Sequence, residues 1–146
     1  MNEENQRHKR FTDKIVFITG GATGIGFATA KFFLLEGANV VICSRSAENV
    51  KTAVDKLKQF GKEIYGEIGD LSVEKKVEEI FEKVNKKFGR IDVLVNSAGA
   101  TKAAKIEEIS LADWHYILDN NLTATFLTCK HVLKYMKKNK YGKIVN

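Results

Sequence analysis

Five short apolar runs alternate with longer segments of helical periodicity along the 146-residue chain. Short apolar runs are typical of buried strands, and apolar residues three or four positions apart are typical of helices that pack on a core. The predicted strands are residues 14–19, 39–43, 63–68, 91–95 and 143–145. Strands joined by right-handed helical crossovers form a parallel sheet that is covered on both faces. The sequence therefore predicts an α/β fold of the doubly wound Rossmann type, βαβαβαβαβ, truncated in the fifth strand.

The segments between the strands predict four helices, at residues 25–36, 47–60, 73–88 and 111–138. In the first, the expected inward face is Ile25, Ala28, Phe32 and Leu35. Ser72 precedes the third helix and is a candidate N-cap. In the long helix, one stripe of inward-facing positions is expected to contain Trp114, Leu118, Asn121, Thr125, Val132 and Met136.

Composition excludes several functional classes. The net charge is +6, but six lysines and no acidic residue lie in residues 129–146, and the rest of the chain is balanced in charge. This distribution lacks the broad basic face of a nucleic-acid-binding protein, and a solvated helix end is favoured over a binding patch. No apolar run approaches the roughly 18 residues of a membrane helix. Cys43 and Cys129 are far apart and indicate reduced thiols in a cytoplasmic protein with no metal site.

A glycine-rich turn joins the first strand to the first helix, with the sequence Thr19-Gly20-Gly21-Ala22-Thr23-Gly24-Ile25-Gly26. Glycines permit a tight turn and let backbone N–H groups approach a pyrophosphate, and the N-terminus of the following helix favours negative charge. Because the pattern follows a strand and opens a helix, it predicts a dinucleotide site. A glycine turn with only a structural role is the alternative.

The spacing T-G-x-x-x-G-I-G, together with Asn96-Ser97-Ala98-Gly99 after the fourth strand, resembles the short-chain dehydrogenase/reductase family, in particular its 3-oxoacyl-carrier-protein reductase-like branch. Asp70-Leu71 and Asn121-Leu122-Thr123 follow in the order found in that family, and the resemblance covers residues 12–146. It implies that the cofactor phosphates meet Gly20, Thr23, Gly24, Ile25 and Gly26. It further implies that Asp70 and Leu71 meet the adenine, and that Asn96, Ala98 and Gly99 lie beside the cofactor. Ser97 stands where the family has a second asparagine.

The end of the second strand bears on the choice of cofactor. Sites for NAD place an acidic residue there to hold the ribose 2′-hydroxyl, whereas this chain has Ser44 and Arg45. A guanidinium fork suits a 2′-phosphate. The sequence therefore favours NADP(H) over NAD(H), with a solvated helix-entry cation as the alternative interpretation of Arg45.

The resemblance implies that Asn121 takes part in a proton relay that also uses a serine and a Tyr-x-x-x-Lys pair. No such pair occurs here, since the residues four positions after the tyrosines are Gly69, Asn120, Asn139 and Val145. We therefore expect a flexible arm at residues 1–12 and an incomplete NADP(H)-binding domain at residues 13–146. The whole enzyme would transfer hydride between nicotinamide and a carbonyl or secondary alcohol, with little activity from this chain alone.

Two further expectations concern partners. The long helix, residues 111–138, is a candidate surface for a homo-oligomer, because the resemblance implies dimers or tetramers that pack on it. The alternative to an enzyme is a non-catalytic module that binds a dinucleotide or a protein partner.

Overall fold

The computed structural model describes residues 9–61 and 63–146. Its strands are β1 (Ile15–Thr19), β2 (Asn39–Ser44), β3 (Glu63–Ile68), β4 (Val93–Asn96) and β5 (Lys143–Val145). Its helices are α1 (Gly24–Leu35), α2 (Ala47–Leu57), α3 (Glu74–Phe88), α4 (Leu111–Leu118) and α5 (Ala124–Lys138). A five-residue π-helical turn, Asp119–Thr123, joins α4 to α5.

The five strands form one parallel sheet in the order β3-β2-β1-β4-β5, which confirms the predicted doubly wound fold. The chain moves outward from β1 to β3 on one side and then crosses to β4 on the other. The carboxyl ends of β1 and β4 therefore flank the point where the winding direction reverses, which is where open α/β sheets bind ligands.

Helices cover both faces of the sheet, as apolar parallel strands require. On one face α1 and α2 bury Val16, Ile18, Val40 and Ile42, and on the other α3 and α5 bury Phe17, Val41 and Leu94. The rings of Phe17 and Phe81 lie 4.7 Å apart, which packs α3 tightly against β1. This two-sided core fixes the strand ends on which the site is built.

The predicted inward face of α1 was wrong. Ile25, Phe32 and Leu35 are exposed, and the buried positions are Gly26, Ala30 and Leu34. Lys31 is the only charged residue in this helix, so apolar side chains lie all around its axis and their spacing cannot select one face.

The long helix predicted at residues 111–138 is interrupted by the π-helical turn, where the N–H of Ala124 donates to the carbonyl of Asp119, five residues back. Such a turn contains one extra residue and rotates the helix that follows it. Val132 and Met136 therefore face the core, whereas Trp114 and Asn121 are exposed. The prediction of one continuous stripe with an inward Asn121 was wrong for this reason.

Part of the predicted N-terminal arm packs on the domain. The backbone N–H of Phe11 donates to the carbonyl of Glu36, and the rings of Phe11 and Phe33 meet edge to face at 4.7 Å. Arg10 forms an ion pair with Glu36 at 3.0 Å. Residues 9–12 are thus anchored to the C-terminal end of α1, and residues 1–8 of the predicted arm lie outside the described residues.

Candidate functional site

A cleft with a volume of about 360 Å³ lies at the carboxyl ends of the strands. It is lined by the glycine turn, the ends of β2 and β3, the segment after β4, and the π-helical turn. Every site residue predicted from the sequence lines this cleft except Asn96 and Asn121. The lining also includes Cys43, Gly69, Ser72, Ser97, Asn120 and Ala124, which were not among the predicted site residues.

The glycine turn folds closely upon itself and upon the segment after β4. Gly20 has a φ of +64°, and its N–H donates to the carbonyl of Cys43 at 2.9 Å. A Cβ on Gly20 would lie 2.9 Å from the backbone of Ala98, and a Cβ on Gly26 would lie 2.3 Å from the carbonyl oxygen of Gly20. Neither position can therefore hold a side chain without moving backbone atoms.

The N-terminus of α1 opens onto the cleft. Thr23 is its N-cap residue, and its side chain accepts no hydrogen bond from the first turn, unlike Ser46 at α2 and Ser110 at α4. Gly24 has a φ of +53°, and a Cβ there would meet no atom of the described residues within 4 Å. The first-turn amides of a helix have no carbonyl partner within the helix, so these amides can donate to an anion in the cleft.

Thr19 joins the two halves of this wall. Its buried hydroxyl oxygen accepts hydrogen bonds from the backbone N–H of Ser97, at 3.0 Å, and of Ala98, at 2.9 Å. The end of β1 is thereby tied to the segment that follows β4. The sequence interpretation missed this role, although Thr19 opens the T-G-x-x-x-G-I-G pattern.

Arg45 and Asp70 line the cleft just beyond the ends of β2 and β3. The Oδ1 atom of Asp70 accepts hydrogen bonds from the backbone N–H and the hydroxyl of Ser72, at 2.9 and 2.7 Å. Partial burial tends to raise the pKa of Asp70, but the hydrogen bonds from Ser72 and the positive charge of Arg45 outweigh it, so this pKa is lowered. Ser72 thus donates its hydrogen bonds to Asp70. Its prediction as the N-cap of α3 was wrong, because Val73 occupies that position.

The two asparagines outside the cleft lining hold its neighbouring segments. Asn121 donates from Nδ2 to the carbonyls of Ala100 and Ile117, both at 2.7 Å. A Cβ on Gly99 would lie 2.6 Å from Oδ1 of Asn121, so the glycine lets the segment after β4 approach the π-helical turn. Asn121 therefore acts on the cleft through Gly99 and Ala100.

Asn96 connects three elements at the end of β4. Its Oδ1 accepts from the buried hydroxyl of Thr128 on α5 at 2.7 Å, and its Nδ2 donates to Oδ1 of Asn146, after β5, at 2.8 Å. The side chain thus fixes the spacing of β4, β5 and α5 behind the cleft.

The thiol of Cys43 lies beneath the cleft and is completely buried. Burial, and secondarily the negative charge of Glu67, raises its pKa to about 12. The thiol is therefore protonated near neutral pH and is a poor nucleophile. Among the described residues, no group of three or more histidine, cysteine or acidic side chains could hold a metal ion, and no helix is long and apolar enough to cross a membrane.

The chain is similar in sequence to known dehydrogenases and reductases. A family model described as short chain dehydrogenase matches residues 14–146. The chain is 38% identical over 134 residues to the (2S)-[(R)-hydroxy(phenyl)methyl]succinyl-CoA dehydrogenase subunit BbsD of Thauera aromatica, which covers 92% of this chain and 54% of the relative. It is 36% identical to the 3-oxoacyl-[acyl-carrier-protein] reductase FabG of Thermotoga maritima, covering 94% of this chain and 56% of the relative.

Solved structures agree with this assignment. The NAD+-bound xylitol dehydrogenase superposes with a TM-score of 0.91 at 30% identity, covering 94% of this chain and 53% of that one. Levodione reductase superposes with a TM-score of 0.89 at 32% identity, covering 94% and 54%. The chain spans about half the length of the curated relatives and solved structures that it matches. The described fold, the glycine turn and these matches together show that the chain belongs to the short-chain dehydrogenase/reductase family.

Proposed function

We propose that this chain is the cofactor-binding part of an NADP(H)-dependent oxidoreductase that interconverts a carbonyl compound and a secondary alcohol. The observation that carries the proposal is one cleft that has uncapped helix amides at one end and Arg45 at the other. A dinucleotide with a 2′-phosphate carries negative charge at two corresponding places. Oxidoreductase names among the relatives, such as the FabG reductase, support the class of reaction.

The phosphate end of the proposed site is a backbone cradle. Gly24 leaves open space where a side chain would stand, and Gly20 and Gly26 bring the turn to its closest approach. Two adjacent phosphates would receive hydrogen bonds from the amides at the start of α1, with the helix dipole adding favourable electrostatics. No cationic side chain is needed there, so the cradle suits a pyrophosphate of any dinucleotide and does not select between cofactors.

Selection between cofactors falls to the adenosine end. Arg45 offers several N–H donors in a planar fork, which pairs well with phosphate oxygens. The carboxylate of Asp70, on the same rim, has one oxygen engaged by Ser72 and keeps the other for a donor on the base. One structural neighbour is described as NAD+-bound, so the preference for NADP(H) rests on Arg45.

Bound nicotinamide would supply the hydride, and the residues of this chain would orient it and exclude water. Asn121 holds Ala100 and the π-helical turn in place, and the resemblance assigns it to a proton relay. The resemblance implies that the tyrosine of a Tyr-x-x-x-Lys pair is the acid of that relay. Within these 146 residues no tyrosine is followed by a lysine four positions later. We infer that the chain binds the cofactor but does not itself complete the proton transfer. A non-catalytic binding module remains the competing function for the same cleft.

Replacing Arg45 by aspartate tests the cofactor assignment. The affinity for NADPH is expected to fall roughly 100-fold, because a charged hydrogen bond is lost and a carboxylate would repel the 2′-phosphate. The affinity for NADH should change only a few-fold. Isothermal titration or quenching of intrinsic fluorescence with both nucleotides measures these affinities.

A matched control changes the net charge by the same amount far from the cleft. Lys86→Asp, on the exposed end of α3, should leave both affinities within about twofold, since charges beyond a Debye length of roughly 10 Å are screened. An NADPH affinity that is equal in the Arg45→Asp variant and the parent chain contradicts the assignment to NADP(H).

We also propose that the exposed apolar residues of α5 and of the π-helical turn before it bind a second copy of the chain. Leu122, Phe126 and Leu133 are 65%, 59% and 39% exposed and lie along one side of α5 and the preceding turn. This surface replaces the stripe expected from the sequence, because Met136 packs into the core.

The free thiols Cys43 and Cys129 support the proposed cytoplasmic location.

Phe126→Glu is expected to convert a dimer into a monomer, because two buried carboxylates would face each other across the symmetric interface. Sedimentation velocity at micromolar concentration gives the mass of each variant. Phe32→Glu is the control, since Phe32 is 66% exposed on α1, at the opposite face of the sheet, and should not change the mass. A parent chain that sediments as a monomer, or equal effects of both substitutions, would contradict this surface.

A further inference from the structure

The guanidinium of Arg45 reaches across the cleft to the opposite wall. Its Nη1 donates to Oδ1 of Asn120 at 2.9 Å and lies 3.4 Å from the hydroxyl oxygen of Tyr116, while Nη2 lies 3.5 Å from the same oxygen. The guanidinium carbon is 6.0 Å from the centre of the Tyr116 ring. Arg45 follows β2, whereas Tyr116 and Asn120 belong to α4 and the π-helical turn. These three residues form what we call the Arg45 bridge.

The amide of Asn120 is oriented for this contact. Its Nδ2 donates to the backbone carbonyl of Tyr116 at 2.8 Å, which turns Oδ1 toward the arginine. The backbone of the π-helical turn sets the position of the whole side chain. Asn120 is thus a fixed acceptor, and Arg45 is the longer, more flexible partner that has reached it.

Both ends of the bridge line the cleft, together with Asp70 and Leu71. The positive charge of Arg45 adds to the hydrogen bonds from Ser72 in lowering the pKa of Asp70. The bridge therefore crosses the space between the ends of β2 and β3 and the π-helical turn.

We infer that Asn120, assisted by Tyr116, is a positioning residue that holds Arg45 across the adenosine end of the cleft, so that a nucleotide binds only when the Arg45–Asn120 hydrogen bond breaks. The inference rests on the proposed function in that it assigns this end of the cleft to adenosine. Every adenosine nucleotide breaks the same bond. A ligand with a 2′-phosphate then regains a charge-assisted partner for Arg45, whereas a ligand without it does not. Asn120 would thus lower the affinity for all adenosine nucleotides, and Arg45 would restore it for one class.

A double-mutant cycle separates this role from direct contact with the nucleotide. The variants are Asn120→Ala, Arg45→Ala and the double substitution, and the probes are 5′-AMP and adenosine 2′,5′-bisphosphate. In the chain that retains Arg45, Asn120→Ala is expected to tighten the binding of both probes about fivefold, the value of one modest hydrogen bond. In the chain that already carries the Arg45→Ala substitution, Asn120→Ala should change either affinity less than about twofold, because the hydrogen bond is already absent.

Controls exclude a purely structural effect. Asn139→Ala, at the C-terminal end of α5, makes the same chemical change outside the cleft and should leave both affinities unchanged. Tyr116→Phe keeps the ring and removes the hydroxyl, whose contacts with Arg45 are long, so its effect should be smaller than that of Asn120→Ala. Thermal unfolding of each variant shows whether the chain remains folded during the titrations.

The inference is overturned if Asn120→Ala weakens the binding of 5′-AMP, or if it acts equally with and without Arg45. Either result would mean that Asn120 contacts the nucleotide itself. The proposed cofactor is tested by a different quantity in the same data, the ratio of the affinities for the bisphosphate and 5′-AMP. Arg45→Ala should lower that ratio, and Asn120→Ala should leave it unchanged. The two proposals can therefore fail separately.

Discussion

Substitution of Gly26 by alanine is expected to abolish tight nucleotide binding and to destabilise the domain. The new Cβ would lie 2.3 Å from the carbonyl oxygen and 2.8 Å from the carbonyl carbon of Gly20, and both are backbone atoms that no rotamer change can move. Forced overpacking of this kind costs about 3 kcal/mol. The glycine turn must shift, and the N–H groups at the start of α1 would no longer point into the cleft. Loss of even two hydrogen bonds to a phosphate corresponds to roughly 100-fold in affinity.

Gly89→Ala isolates the effect of backbone strain. Gly89 ends α3 with a φ of +75°, and a Cβ there would meet no atom of the described residues within 4 Å. A cost of about 1 kcal/mol in the free energy of unfolding is expected, with no change in nucleotide affinity. Urea unfolding and NADPH titration compare the two variants. If Gly26→Ala binds NADPH as well as Gly89→Ala, the glycine turn is not the phosphate cradle.

Removal of the Asp92 carboxylate is expected to cause the largest loss of stability outside the cleft. Asp92 is 1% exposed, and its Oδ2 accepts from the backbone N–H of Ile15 at 2.9 Å. Its Oδ1 accepts from Nε of Arg90 at 2.9 Å and also forms an ion pair with Nη2. Its own backbone receives the N–H of Lys143 and donates to Ile15, so this residue joins β1, β4 and β5. Asp92→Leu should lower the free energy of unfolding by about 3 kcal/mol, because the Ile15 N–H is left buried without an acceptor.

Asp92→Asn is the informative comparison. The amide keeps an oxygen for the Ile15 N–H, but it loses the charge and turns its NH2 group, a donor, toward Arg90, whose guanidinium is partly exposed and can be hydrated instead. Its cost should therefore be about half that of Asp92→Leu. Equal losses for the two variants would show that the ion pair, and not the hydrogen bond to β1, carries the stability. Urea titrations followed by circular dichroism give both values.

The strands and their doubly wound arrangement were predictable because each strand is a short apolar run and each crossover is helical. The inward side of α1 was not, because Lys31 alone marks its polar surface. The π-helical turn was not either, because the apolar spacing on its two sides continues through it and carries no sign of the extra residue. Arguments from periodicity assume a constant number of residues per turn, and that assumption fails between Asp119 and Thr123.

The cleft was predictable to a similar degree. Residues next to strand ends, such as Gly20, Ser44 and Asp70, line it because parallel strands bring their carboxyl ends to one edge. Asn120 was not predicted as a site residue, because its contact with Arg45 depends on the rotation that the π-helical turn introduces. The role of Thr19 was not predicted, because its hydroxyl oxygen accepts hydrogen bonds from backbone N–H groups 78 and 79 positions away. No local sequence pattern encodes such a contact.

Among the five helices in the described part of the chain, α4 alone contains no buried residue, whereas α5 contains six. Segments with few buried contacts open at a small fraction of the global unfolding free energy. The π-helical turn lies between these two helices and carries Asn120. The turn that lines one wall of the cleft thus follows the most weakly anchored helix, whereas the opposite wall is formed by the ends of core strands. Displacement of α4 as a unit would move Tyr116 away from Arg45 at low cost and leave the packing of α5 intact.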